Sequence, residues 1–216
     1  MGRKILSLNP SKIKRTVFHK ILLFCNPFIR LANKINWRFG RPYEGTPRSL
    51  DPFIGLLQPG MVILSHKKYE LTNWFIRGYW THAAIYINHK YVIEAISKGV
   101  VKKELETFIN TVDDFIILKP KFCDQAVMKE AVDFAETIVG YPYNFTFRSR
   151  KESFYCSELV YRAYSQTSMW KYVKIDYPEK LWSYHSDKIL IPQNILESEP
   201  LWQIVCHKSE YRKNMS

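Results

Sequence analysis

The 216-residue chain is 46% hydrophobic and 15% aromatic with a formal net charge of +12, a composition that supports one substantial core and excludes a disordered polyelectrolyte. Its four cysteines (Cys25, Cys123, Cys156 and Cys206) lack CxxC spacing and a companion histidine cluster, so no structural zinc site and no cofactor are expected. No stretch approaches the roughly 18 apolar residues of a membrane-spanning helix, and no internal repeat or low-complexity run interrupts the chain.

The charge is concentrated at the start. Met1 to Arg41 carries ten Lys/Arg and no acid, which leaves 22 basic against 20 acidic residues in the remainder. Ile13, Val17, Ile21 and Phe24 recur at helical spacing beside Lys14, Arg15 and Lys20, and Pro27 breaks the pattern. A basic, amphipathic, aromatic segment suits an anionic membrane surface, here through residues 1–43. A helical extension packed on the core with a solvated basic face fits as well. Nucleic acid is a poorer reading, because no recognition motif accompanies the charge. The apolar run Ile21–Cys25 is too short for a secretory signal, and Phe24 is not the small residue of a lipoprotein cleavage site. The expected localisation is therefore cytoplasmic, peripheral at a membrane if the leader binds one; delivery into another cell stays open. Residues 1–45 are assigned to this extension and 46–216 to the main domain.

The main domain reads as α+β. Met61–Ser65 is a strand and Glu70–Tyr79 a short helix. Trp80–Ile87 and Tyr91–Ile96, rich in β-branched and aromatic residues, flank Asn88-His89-Lys90 as a β-hairpin. Val100–Lys103 adds a strand, Leu105–Asn110 a helical turn, and Phe115–Leu118 a strand ended by Pro120. Asp124 caps a helix of about fifteen residues ending at Gly140, with Val127, Ala131, Phe134 and Ile138 on its buried face. Leu159, Val160, Ala163 and Tyr164 mark the next helix, with Ser153 and Ser157 as candidate caps and Ser157, Glu158 and Arg162 turned to water. Trp170–Leu190 is irregular, and Leu201–Cys206 is a last strand.

Cys156 falls where that helix begins. Unpaired backbone N–H groups and the positive end of the helix dipole favour thiolate there, and the same N–H groups can receive an oxyanion. In the hairpin, a turn centred at Asn88 puts His82 opposite Glu94. A turn centred at His89 puts His82 opposite Ile96, with Glu94 diagonal on the same face, and either register lets the carboxylate orient the imidazole. Cysteine, histidine and carboxylate are the set that acyl transfer through a thioester needs. Taken singly, a buried cysteine or a strand histidine is more often structural; the three together favour catalysis.

These residues resemble a known family. Tyr155-Cys156-Ser157-Glu158-Leu159-Val160, preceded by Trp80-Thr81-His82-Ala83-Ala84-Ile85-Tyr86 and Val92-Ile93-Glu94-Ala95, is similar to the YiiX/YebB-like branch of the NlpC-type cysteine hydrolases, distant relatives of lecithin:retinol acyltransferase. Leu57–Ser65 and Gly140–Phe145 resemble the same pattern over roughly residues 52–206, with Asn144 where an aspartate is common. The resemblance implies a circularly permuted papain-like fold in which the histidine precedes the cysteine. It implies Cys156 as nucleophile, His82 as base then acid, and Glu94 as its orienter. The expected activity is hydrolysis of a peptide or N-acyl amide bond. A lipid acyltransferase or thioesterase acting on an acylated substrate at a membrane, and a catalytically silent binding module of the same fold, are the alternatives. Tyr141, Tyr143, Tyr155 and Trp80 are candidates to line an apolar cleft.

Overall fold

The computed structural model describes residues 54–68, 76, 78–88, 90–121, 123–145, 147, 151–168, 190–198 and 201–207. The basic extension, most of the expected helix at 70–79 and nearly all of the irregular stretch 170–190 lie outside them. In chain order the elements are β1 (Val62–His66), β2 (His82–Asn88), β3 (Tyr91–Ile96), β4 (Gly99–Glu104), α1 (Leu105–Asn110), β5 (Asp114–Pro120), α2 (Gln125–Thr137), α3 (Cys156–Ser165), α4 (Pro192–Glu197) and β6 (Trp202–His207). The strands form one antiparallel sheet in the order β4-β3-β2-β1-β5-β6.

The central strands are near-continuous apolar runs because both sheet faces are covered. Alternate residues feed two cores. Val62, Leu64, Ala83, Ile85, Ile93 and Ala95 pack with α2 and α3 through Ala131, Ala135, Leu159, Val160 and Ala163. Met61, Ile63, Ala84, Tyr86, Val92, Phe115 and Ile117 pack with α1 through Leu105, Phe108 and Ile109. Phe108 is 1% exposed, and burial of such a side chain contributes about 2–3 kcal/mol. The outermost strands are more polar, as on β4, where Lys102 and Glu104 are exposed.

The reading of the elements holds in outline, with corrections. The Asp124 carboxylate accepts from Val127 N–H at 2.9 Å, as a helix cap should. The helix it starts spans 13 residues and stops at Thr137, before Gly140, whose φ of 95° marks the turn. Phe134 is only partly buried, and Met128, Val132 and Ala135 take the buried face instead. β5 starts one residue earlier than expected and ends at Pro120, which still pairs with Trp202 of β6. Gly60, at φ 95°, lets the chain pass so close to α2 that a Cβ would lie 2.6 Å from Met128 Cβ. Its carbonyl accepts from the Tyr164 hydroxyl, which ties the far end of α3 to the start of β1.

Candidate active site

The β2–β3 hairpin decides where the histidine and the carboxylate meet. Ala84 pairs with Glu94, Ile85 with Ile93 and Tyr86 with Val92, which is the register centred at position 89. His82 and Glu94 are therefore diagonal neighbours on one face, not direct opposites. A bulge between Tyr86 and Asn88 then shifts the tip, where Asn88 pairs with Tyr91. Across the diagonal, His82 Nε2 and Glu94 Oε2 stand 2.7 Å apart. Glu94 is 2% exposed, a burial a carboxylate tolerates only when paired.

Cys156 is the first residue of α3, and its thiol is within hydrogen-bonding contact of His82. Since Nε2 faces Glu94, Nδ1 is the nitrogen left for the thiol. Tyr155 occupies the N-cap position and gives no side-chain cap. Neither candidate serine caps the helix: the Ser157 hydroxyl instead donates to the Leu190 carbonyl at 2.8 Å. The N–H groups of the first turn are thus not claimed by a capping side chain, as an oxyanion site requires.

The electrostatics follow from this packing. Burial by itself pulls the His82 pKa down, but hydrogen bonds to Cys156 and Glu94, and their negative charges, hold it above the ordinary imidazole value. Burial pushes Glu94 up, yet the His82 bond and the positive charges of His82, Lys103 and Lys67 hold it below the usual carboxylate range. The arrangement favours an imidazolium held by the Glu94 carboxylate, with the Cys156 thiol on its other side. Cys123 is the contrast: burial and the nearby Asp124 and Glu130 charges raise its thiol pKa.

Two further sets of contacts support the site. Glu158 and Ser157 do not face water; they are 3% and 1% exposed. Glu158 Oε2 accepts from Asn144 Nδ2 at 3.1 Å, and Arg162 Nη2 lies 3.7 Å from Glu158 Oε1. Asn144, which departs from the aspartate of the resembled pattern, thus joins the 140–145 loop to the first turn of α3. The second set comes from residues 190–193. Beside the Leu190 contact, Gln193 Oε1 accepts from Tyr79 N–H at 3.2 Å and Trp80 N–H at 3.4 Å, just ahead of His82. Ile191 packs against Tyr155. Trp80 belongs to the core under α2 and α3, and Tyr155 is 5% exposed, so neither lines an open cleft; Tyr141 is 38% exposed and Tyr143 partly buried. Gln193 carried no motif, and only its place before an apolar helical run could have drawn notice.

A thiol at a helix start, an imidazole at a strand start and a buried carboxylate on the next strand are thus brought together. Residues 56–206 match the model of the permuted papain-like amidase enzymes, the YaeF/YiiX, C92 family, and the chain belongs to that family. It is also similar in fold to a crystal structure described as metalloprotein yiiX from Escherichia coli O157:H7. That match has a TM-score of 0.55 at 17% identity and covers 70% of this chain and 97% of that one. A search of curated proteins gave no match. Among the described residues, no three or more His, Cys, Asp or Glu side chains group as a metal site, and no helix is long and apolar enough to cross a membrane.

Proposed function

We propose that this cysteine hydrolase cleaves an amide bond, in a peptide or an N-acyl amide, through a thioester on Cys156. One observation carries the reading: His82 contacts the Cys156 thiol on one side and the Glu94 carboxylate on the other. His82 Nδ1 takes the thiol proton, and Sγ attacks the carbonyl carbon, placing negative charge on the oxygen near the Cys156 backbone N–H. As the C–N bond breaks, His82 returns the proton to the departing amine. Water then attacks the thioester, with His82 as base, and releases the acid and the thiol. Glu94 fixes the imidazole with Nε2–H turned to itself and stabilises its charged form.

The test is the rate of alkylation by iodoacetamide against pH, resolved by peptide mass spectrometry. Cys156 is expected to react fast well below the free-thiol pKa of about 8.5, and the His82→Ala change to abolish that advantage. Cys123 serves as the slow internal control. Equal rates at Cys156 and Cys123, indifferent to His82, would sink the catalytic reading. With reactivity established, a panel of peptide and N-acyl amides identifies the bond cleaved, and product analysis with a lipid acceptor present separates hydrolysis from acyl transfer.

A further inference from the structure

Glu94 spends one oxygen on His82 and keeps the other. Oε2 meets the imidazole, whereas Oε1 is buried and makes no hydrogen bond among the described residues. What stands beside Oε1 is the Lys103 ammonium, 3.3 Å away. Strand register puts it there: Glu94 pairs with Val101 and Val92 with Lys103, so Lys103 is the diagonal neighbour of Glu94 across β3 and β4. The ammonium is held in place from other sides as well. It donates to Thr111 Oγ1 at 3.3 Å and lies 5.6 Å from the centre of the Phe108 ring. That ring is in turn 6.2 Å from the His82 ring.

We propose that Lys103 is a positioning residue of the active site, a fixed cation that keeps Glu94 ionised and in place so that it can orient His82. The inference rests on the reading of Cys156, His82 and Glu94 as nucleophile, base and orienter. A buried carboxylate without a counter-charge takes up a proton, and a neutral carboxyl group no longer supports an imidazolium. Two cations sharing one carboxylate also keep that carboxylate from binding the His82 proton too firmly to return it. The charged groups facing Glu94 are His82 from β2, Lys103 from β4 and Lys67 just past β1, while Cys156 of α3 faces His82 from the other side. Among the described residues, Lys103 is the one in direct contact with Oε1.

The test measures the low-pH limb of the Cys156 alkylation profile in the full chain. Lys103→Met is expected to move the limb upward by about one pH unit, a loss of about tenfold in rate at a pH on the limb. Lys103→Arg is expected to restore it, since charge and not the lysine shape is at issue. In a Glu94→Gln background the Lys103→Met change is expected to move nothing further, because no carboxylate is left for the cation to serve. A limb unmoved by Lys103→Met overturns the proposal. So does a shift that Arg fails to reverse, or one that persists in the Glu94→Gln background. Loss of fold in Lys103→Met, read from thermal melting, transfers the decision to Lys103→Gln and Lys103→Arg, for which the same outcomes apply. Failure of the underlying reading looks different: wild-type Cys156 would then show no activation and no dependence on His82.

Discussion

His82 and Cys156 meet in one contact, yet the chain holds them by different means. His82 and its carboxylate lie twelve residues apart on one hairpin, and strand register alone brings them together. Cys156 lies on a short helix whose start is fastened by remote pieces: the Asn144 amide from the preceding loop and the Leu190 carbonyl 33 residues later. The proposed base half is local and ought to fail chemically, through charge and tautomer. The proposed nucleophile half is assembled from afar and ought to fail through loss of packing.

The largest effect belongs to the base half. His82→Ala is expected to slow alkylation of Cys156 at pH 6 by about 100-fold, as the thiol loses the base that takes its proton, while Cys123 is unchanged. Glu94→Gln keeps an acceptor for Nε2–H but removes the charge. A loss of about tenfold is expected in the same assay, with the profile moved upward. Glu94 also sets an acid limit on stability. Its pKa is about 4.3 in an unfolded chain and about 2 in the folded protein. Over that window the unfolded chain binds a proton that the folded chain refuses, so stability present at higher pH is lost as pH falls. The expected loss is on the order of 3 kcal/mol, seen as a falling urea midpoint in wild type and absent from Glu94→Gln.

The nucleophile half is probed by Ser157→Ala, which takes away the hydroxyl bonded to the Leu190 carbonyl. A destabilisation of about 1–2 kcal/mol is expected in urea unfolding, with the Cys156 profile lowered at every pH and its midpoint unmoved. A moved midpoint would mean that the two halves do not divide as described. The smallest effect is expected of Gln193→Ala, at about 1 kcal/mol or less, because Tyr79 and Trp80 lose a side-chain acceptor whose place water can take.

This division also explains what the sequence disclosed. The hairpin was legible because two runs rich in β-branched and aromatic residues flank a polar turn, so only two productive registers had to be weighed. Which register holds depended on a bulge at Tyr86–Asn88 that no residue type announces. Cys156 was legible from the apolar spacing that follows it. The fate of Ser157, Glu158 and Arg162 was not, because helical periodicity marks them polar and says nothing of partners brought by other segments. Glu158 is buried against Asn144, and Ser157 against Leu190, by contacts no local pattern encodes. Lys103 read only as the end of a strand for the same reason: its meaning lies in the neighbouring strand.

The bulge in the hairpin has a consequence for how this protein tolerates change in length. Ile87 is the extra residue that separates the Tyr86–Val92 pair from the Asn88–Tyr91 pair, so the tip and the body of the hairpin keep separate counts. An insertion at the exposed tip beside Lys90 leaves the pairs from Tyr86 inward as they are. A single residue added between His82 and Tyr86 would turn the histidine to the opposite face from its carboxylate. The tip is thus the place for an affinity tag or a fluorescent label, and the strand below it accepts substitutions but no change in length.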